Sequence, residues 1–210
     1  MTGLTEDYYP YWIQAQRRPQ IAAILAAMQQ SGSDDLPATG SLLLKAVIIP
    51  GSKVAEGTLV KAVALPWFEI LDLLKRDPTA AHQIAWRKWE EIIAAAYHQQ
   101  GFEVVVTPRS GDGGRDIIAT SKELGSICFF DQVKAYAPGN LVSADEVRSM
   151  LGVLTVRPNV SKGLVTTTSD FAPGVWKDPD LARLMPYRLE LKNRTALLEW
   201  LNGIATEKRR

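Results

Sequence analysis

The chain has 210 residues, of which 46% are hydrophobic and 22% charged, as is ordinary for one globular domain or one domain with a smaller accessory region. The net charge of +1 gives no overall attraction to a polyanion, although basic residues can still cluster locally. The single cysteine, Cys128, excludes an intramolecular disulfide. The sequence contains neither a signal-peptide pattern nor an apolar run long enough to cross a bilayer, so we expect a cytoplasmic protein without a membrane span.

The first 78 residues mix predicted helices and strands without a chemical motif. Helix is predicted within residues 1–35, where Pro19 precedes the apolar run IAAILAAM. The β-branched run Leu42–Gly51 predicts a strand, and KVAEGTLVKAVAL is expected to continue as extended structure around a glycine turn. Prolines bound a predicted helix at Pro66–Pro78. We expect residues 1–78 to form a small α+β accessory region.

From residue 79 the pattern predicts a helix, three strands, a helix, a strand and a last helix. The first helix ends at Gly101, which suits a left-handed helix stop. The strands are FEVVVTP, DIIAT and ICFFDQVKAY. Ser143 and Glu146 have the spacing of a capping box at the start of SADEVRSMLGVL, and KGLVTTTSDF predicts a further strand. This order predicts a layered α/β or α+β domain over residues 79–210.

Polar residues follow the glycine turn RSGDGG and return on the predicted strand DQVK. Because alternate residues of a strand face the same way, Gln132 and Lys134 share one face and Asp131 points to the other. Asp116 opens the neighbouring strand of the predicted hairpin, whereas Asp112 is interpreted as a turn residue. If Asp116 faces the same way as Gln132, a carboxylate, an amide oxygen and an ammonium converge at one edge of the sheet.

Hydrolysis of a phosphodiester uses such groups. A hard cation such as Mg²⁺ takes oxygen ligands, neutralises charge on the phosphate and lowers the pKa of a bound water. Asp116 is the predicted main ligand, and the Gln132 amide and the Val133 carbonyl are further ligands, with Mn²⁺ as the expected substitute for Mg²⁺. Lys134 is the predicted catalytic cation, which favours the hydroxide or stabilises the charged transition state.

Four segments in order resemble the core of Mrr-like (type IV) restriction endonucleases of the PD-(D/E)xK nuclease superfamily. They are WEEIIAAAYHQQGFEV, RSGDGGRDIIA, DQVKAY and GLVTTTSDF. The resemblance implies an α/β fold with a restriction-endonuclease-like central mixed sheet flanked by helices. It implies that Glu90 is the helix acid of the site and Asp116 the motif aspartate. Gln132 and Lys134 match the Q-x-K pair, in which glutamine replaces an acid, as is typical of this subgroup.

The same resemblance implies Mg²⁺-dependent cleavage of double-stranded DNA, often methylated DNA, in a bacterial or archaeal restriction system. Arg109 and Arg115 flank the glycine turn and are candidate contacts to DNA phosphates. Thr167, Thr168 and Ser169 end a predicted strand, where hydroxyl groups could also touch a phosphate. For each of these residues an ordinary surface role is the alternative.

Other interpretations stay open at this point. Glu90 can be a solvated helix residue, with the neighbouring Glu91 in the functional role. The chain can be a catalytically inactive nuclease-fold module that binds DNA or a protein partner, or an enzyme that acts on RNA or branched DNA. Cutting both strands of a duplex requires two sites, so a homodimer is expected. Residues 1–78 lack the clear basic recognition helix of a winged-helix domain, and the sequence therefore predicts no target.

Overall fold

The computed structural model describes residues 39–108, 114–121 and 126–207. Contacts divide the chain into two compact units, Met1–Thr39 and Gly40–Arg210, and the second contains the sheet. The helix predicted within residues 1–35 lies outside the described residues, as do Arg109 and Asp112. No helix in the described part of the chain is long and apolar enough to span a membrane.

The secondary structure alternates between short helices and strands. The chain begins with α1 (Thr39–Leu44), β1 (Ile48–Val54), β2 (Gly57–Val63) and α2 (Leu65–Arg76). After a 3-10 helix at Pro78–Gln83 follow α3 (Trp86–Gln99), β3 (Glu103–Val106), β4 (Ile117–Ser121) and β5 (Ile127–Lys134). The last elements are α4 (Ala144–Val156), β6 (Lys162–Thr167), α5 (Pro173–Lys177), α6 (Pro179–Ala182), β7 (Leu189–Lys192) and α7 (Arg194–Glu207).

The seven strands of the described residues form one sheet in which the spatial order is the chain order. Neighbours are antiparallel from β1 to β5. From β5 to β7 they are parallel, and α4 lies in the connection from β5 to β6, as a parallel pair requires a long crossover. The expected mixed sheet flanked by helices is confirmed.

The two faces of the sheet carry two separate hydrophobic cores. Ile117 and Ala119 of β4 are buried in the core that also contains α2, α3 and α7. Ile118 and Phe130 belong to the other core, which contains α4, α5 and α6. The strands therefore alternate apolar residues between two covered faces.

The two N-terminal strands are part of this sheet, because β2 pairs with β3. The helix α2 packs in the same core as α3, and the buried Trp67 donates a hydrogen bond from Nε1 to the carbonyl oxygen of Ile92 at 2.9 Å. The predicted boundary between residues 78 and 79 falls inside this compact unit. Part of the predicted accessory region thus completes the sheet.

Three local predictions are wrong. The run Leu42–Gly51 does not form one strand, because α1 extends to Leu44 and β1 begins at Ile48. The long helix begins at Trp86 and is preceded by a separate 3-10 helix. The short strand Leu189–Lys192 was not expected, since its four residues pass almost directly into the last helix. Short apolar runs do not distinguish a helix from a strand without their tertiary partners.

Candidate active site

The carboxylate of Asp116 lies directly beside the backbone of β5. Its backbone N–H donates to the carbonyl oxygen of Asp131 at 2.9 Å, which continues the ladder between β4 and β5. Its Oδ2 accepts a hydrogen bond from the N–H of Val133 at 2.7 Å. The carboxylate is therefore fixed against the peptide bond that links Gln132 to Val133.

Gln132 and Lys134 extend from β5 toward the same helix, α4. The Ser149 hydroxyl donates to Oε1 of Gln132 at 3.4 Å. One turn earlier on α4, Oε1 of Glu146 lies 3.9 Å from Nζ of Lys134. The prediction that Gln132 and Lys134 share one face is confirmed, and that face is the one covered by α4.

Glu146, in the first turn of α4, contacts Tyr136, and the sequence did not indicate either residue as functional. The predicted capping box is confirmed, since Ser143 and Glu146 exchange both of its hydrogen bonds. Oε1 of Glu146 also accepts a hydrogen bond from the Tyr136 hydroxyl, which raises the pKa of Tyr136 to about 12. Partial burial raises the pKa of Glu146, but hydrogen bonds from Tyr136 and Ser143 outweigh it and hold that pKa below the usual value. Strand alternation could have indicated Tyr136, because it comes two residues after Lys134.

Asp131 faces the opposite side of the sheet, as strand alternation predicts. Its side chain is 1% exposed, and Oδ2 accepts hydrogen bonds from the Tyr97 hydroxyl at 2.9 Å and the Thr166 hydroxyl at 3.0 Å. Burial raises the pKa of Asp131 to about 7, although both hydrogen bonds act in the other direction. This carboxyl group belongs to the core around α3 and is separated from Lys134 by the sheet.

Glu90 is buried in α3, with 1% exposure, and forms an ion pair with Arg87. Nη2 of Arg87 donates to the carbonyl oxygen of Thr107 at 3.0 Å, and the Thr107 N–H donates to the carbonyl oxygen of Asp116 at 3.0 Å. These contacts link Glu90 to the corner of the sheet where Asp116 lies. Glu91 is instead 27% exposed and pairs with Lys88 at 2.7 Å.

Arg115, a candidate DNA contact from the sequence, is buried, and its contact with DNA stays a prediction. Its side chain is 7% exposed, and Nη2 forms an ion pair with Glu56. The guanidinium carbon also lies 4.8 Å from the centroid of the Phe130 ring. The pair joins the turn between β1 and β2 to the start of β4, so Arg115 supports the sheet rather than facing solvent.

Thr167 and Thr168, two further candidate DNA contacts, are both buried, and their contact with DNA stays a prediction as well. The Thr167 hydroxyl donates to the carbonyl oxygen of Lys134 at 2.7 Å, and the Thr168 hydroxyl donates to the carbonyl oxygen of Tyr136 at 2.9 Å. These bonds fix the end of β5, which carries Lys134. Ser169 is half-buried and stays a candidate contact.

The donors at this corner suit a hard cation. They are the Asp116 carboxylate, the Gln132 amide oxygen and the Val133 carbonyl. Within the described ranges no three His, Cys, Asp or Glu side chains come together in a way that could hold a metal. A set of oxygen donors with one carboxylate fits Mg²⁺, which keeps several waters and takes few protein ligands. It does not fit zinc, which requires nitrogen or sulfur ligands or several carboxylates.

Comparisons with known proteins identify relatives of this chain. The uncharacterized protein y4cE of Sinorhizobium fredii (strain NBRC 101917 / NGR234) is 27% identical over 106 residues, which are 50% of this chain and 27% of that protein. The solved MspJI restriction endonuclease, in complex with a 27-mer oligonucleotide, is 17% identical with a TM-score of 0.39. That match covers 67% of this chain and 34% of MspJI.

Two further solved structures are similar to the chain. AspBHI, a DNA modification-dependent restriction endonuclease, is 17% identical with a TM-score of 0.39, and the match covers 84% of this chain and 51% of AspBHI. The protein of unknown function AF1548 is 11% identical with a TM-score of 0.46, covering 60% of this chain and 67% of AF1548. Residues 81–201, more than half of the chain, match the family model Mrr_cat, described as restriction endonuclease. The chain therefore belongs to the Mrr_cat restriction endonuclease family.

Proposed function

We propose that this nuclease is a metal-dependent DNA endonuclease that takes part in the restriction of foreign or methylated DNA. One observation carries the proposal. The Asp116 carboxylate lies against the backbone of β5 between Gln132 and Val133, and Lys134 follows at the end of the same strand. All of these residues fall inside the matched segment 81–201. A carboxylate, an amide and an ammonium at one corner are the parts that phosphodiester hydrolysis uses.

In this proposal Asp116, Gln132 and the Val133 carbonyl hold Mg²⁺, for which Mn²⁺ can substitute. When bound, the ion neutralises charge on the phosphate and lowers the pKa of a coordinated water. The hydrogen bond from the Val133 N–H fixes the orientation of the Asp116 carboxylate before any substrate arrives. Such preorganisation lowers the cost of reorganisation during the reaction.

Lys134 supplies a positive charge to the reacting phosphate. Its side chain is 22% exposed, so it can reach a substrate, while its carbonyl oxygen is held by the Thr167 hydroxyl. Glu90 acts from the other side of the sheet, through Arg87 and Thr107, on the strand end that carries Asp116. We assign the catalytic residues to the segment 79–210.

Double-stranded DNA is the proposed substrate, cut by a homodimer that contributes one site per strand. The chain spans 27% of the length of its curated relative and 34% of MspJI. The activity and substrate of the whole protein are therefore part of the proposal. A cytoplasmic location in a restriction system completes the assignment.

The test is cleavage of supercoiled plasmid, methylated and unmethylated, with Mg²⁺, with Mn²⁺ and with a chelator. We expect nicked and linear product only with metal. Asp116→Asn and Lys134→Ala should lower the cleavage rate by at least about 100-fold. The matched controls are Asp180→Asn and Lys61→Ala, which make the same chemical changes at exposed positions and should cut at the wild-type rate.

Two outcomes would contradict the proposal. Wild-type protein that binds DNA with a steep salt dependence but never cuts it would identify a binding module instead. Asp116→Asn protein that cuts as fast as wild type would place the active site elsewhere. Circular dichroism of each variant establishes that the fold is intact.

A further inference from the structure

We infer that Glu146 is a positioning residue that holds the Lys134 ammonium in place for phosphodiester cleavage, an inference that rests on the proposed function. Oε1 of Glu146 lies 3.9 Å from Nζ of Lys134. The two side chains are 29% and 22% exposed, so water screens their attraction only in part. The pair joins the first turn of α4 to the end of β5.

The Glu146 carboxylate is itself fixed from two directions. Oε2 accepts hydrogen bonds from the N–H and the hydroxyl of Ser143, both at 2.9 Å. Oε1 accepts a hydrogen bond from the Tyr136 hydroxyl. The negative charge opposite Lys134 is therefore held in one position, whereas a mobile surface glutamate would not hold it there.

The backbone of Lys134 is equally constrained. Its carbonyl oxygen accepts from the Thr167 hydroxyl at 2.7 Å, from the Thr168 N–H at 3.2 Å and from the Tyr136 N–H at 3.1 Å. The remaining freedom lies in the four-carbon side chain, which carries a compact charge on a flexible stem. A fixed carboxylate near Nζ restricts that freedom.

The distance between the two groups suits a holding role. At 3.9 Å the Lys134 ammonium is too far from Glu146 to donate a hydrogen bond to it, so its N–H groups stay available to a phosphate oxygen. The same face of α4 also contacts Gln132, the other polar residue of the Q-x-K pair, because the Ser149 hydroxyl donates to it. The first two turns of α4 thus support both polar side chains of the Q-x-K strand.

The test compares three variants of the full chain. Glu146→Gln keeps the size and the oxygen that caps α4 but removes the charge beside Lys134. Tyr136→Phe removes one hydrogen bond to Glu146 and keeps the charge. Asp145→Asn is the matched control, because it removes a charge from the same helix turn at a side chain that is 89% exposed and pairs with Arg148.

The positioning role predicts a split between rate and affinity. The single-turnover cleavage rate of Glu146→Gln should fall by about 10- to 100-fold, while its dissociation constant for DNA changes by less than about threefold. Tyr136→Phe should lose less than Glu146→Gln. Asp145→Asn should cut at the wild-type rate.

A second readout does not depend on cleavage. The order parameter of the Lys134 Cε group, measured by ¹³C relaxation, should fall in Glu146→Gln and stay unchanged in Asp145→Asn. If wild type cuts DNA and Glu146→Gln keeps both the rate and the order of Lys134, the inference is overturned. If the order of Lys134 depends on Glu146 but wild type cuts no DNA, the nuclease assignment fails and the contact is structural. If Glu146→Gln loses helix content, the cleavage rate and the Lys134 order parameter of Tyr136→Phe decide the question instead.

Discussion

Replacing Asp131 by asparagine should remove a pH-dependent penalty from the stability of the fold. The Asp131 carboxyl is 1% exposed, and its Oδ2 accepts hydrogen bonds from Tyr97 and Thr166. An asparagine oxygen can accept both bonds, so Asp131→Asn has nearly the shape of the protonated side chain. Unlike the aspartate, it carries no charge at any pH.

The magnitude follows from linkage between protonation and folding. Burial raises the pKa of Asp131 from 3.8 to about 7, so the folded state binds this proton more tightly than the unfolded chain. Stability from this group is therefore greatest at low pH, declines as pH rises above about 4 and is fully lost above about 7. At 1.36 kcal/mol for each pH unit the whole penalty is about 4 kcal/mol, of which about 3 kcal/mol falls between about pH 5 and pH 8.

The assay is urea unfolding of wild type and Asp131→Asn at several values from about pH 5 to pH 8. The free energy of unfolding of the variant, relative to wild type, should rise by about 3 kcal/mol over this range. Any constant effect of altered hydrogen bonds cancels in that comparison. Asp180→Asn, an exposed aspartate, is the control and should show no such rise. A difference that stays within about 0.5 kcal/mol across the range would refute the reasoning.

Two further predictions concern the frame around the site. Gly57→Ala should lower the free energy of unfolding by at least about 3 kcal/mol in urea, because the added Cβ would lie 2.2 Å from the carbonyl oxygen of Val106 and the backbone has φ +152°. Gly174→Ala, where nothing lies within 4 Å of the new Cβ, should leave stability unchanged or slightly raised, and equal losses in the two variants would contradict the steric argument. Thr167→Val should cost about 1–2 kcal/mol, since a buried hydroxyl donor to β5 is lost, and should also slow plasmid cleavage. The exposed Thr155→Val is its control, and a Thr167→Val protein as stable as this control would show that the bond is dispensable.

Local patterns in the sequence predicted the parts of the site that a single strand or helix turn determines. Strand alternation assigned Gln132 and Lys134 to one face and Asp131 to the other, and the burial of Asp131 confirms this. The capping box at Ser143 was visible because its two residues are three positions apart. Such patterns depend on backbone geometry alone.

Partners that are distant in the chain could not be predicted. Arg115 looked like a surface cation beside a glycine turn, but its partner Glu56 is 59 positions away. The Thr167 hydroxyl bonds a carbonyl 33 positions earlier, and this pairing depends on the parallel register of β5 and β6. Neither contact leaves a local signal, because tertiary packing decides which polar groups are covered.

The structural role of residues 48–76 could not be predicted from the sequence for a related reason. The hairpin of β1 and β2 shows no chemistry in its own sequence, and its importance appears only when β2 pairs with β3. Trp67 then joins α2 to α3, the helix that carries Glu90. A segment without a motif can still determine the position of a helix that carries a candidate site residue.

The order of strands in the sheet has a consequence for how the molecule opens. Because spatial order equals chain order, either edge can detach without breaking any pairing between β4 and β5. Three strands separate the Asp116 corner from one edge and two from the other within the described residues. Amide hydrogen exchange should therefore be fastest at β1 and β7 and slowest at the centre. Partial unfolding from the edges, during heating or proteolysis, would remove the hairpin or the last helix first, while the pairing between β4 and β5 persists.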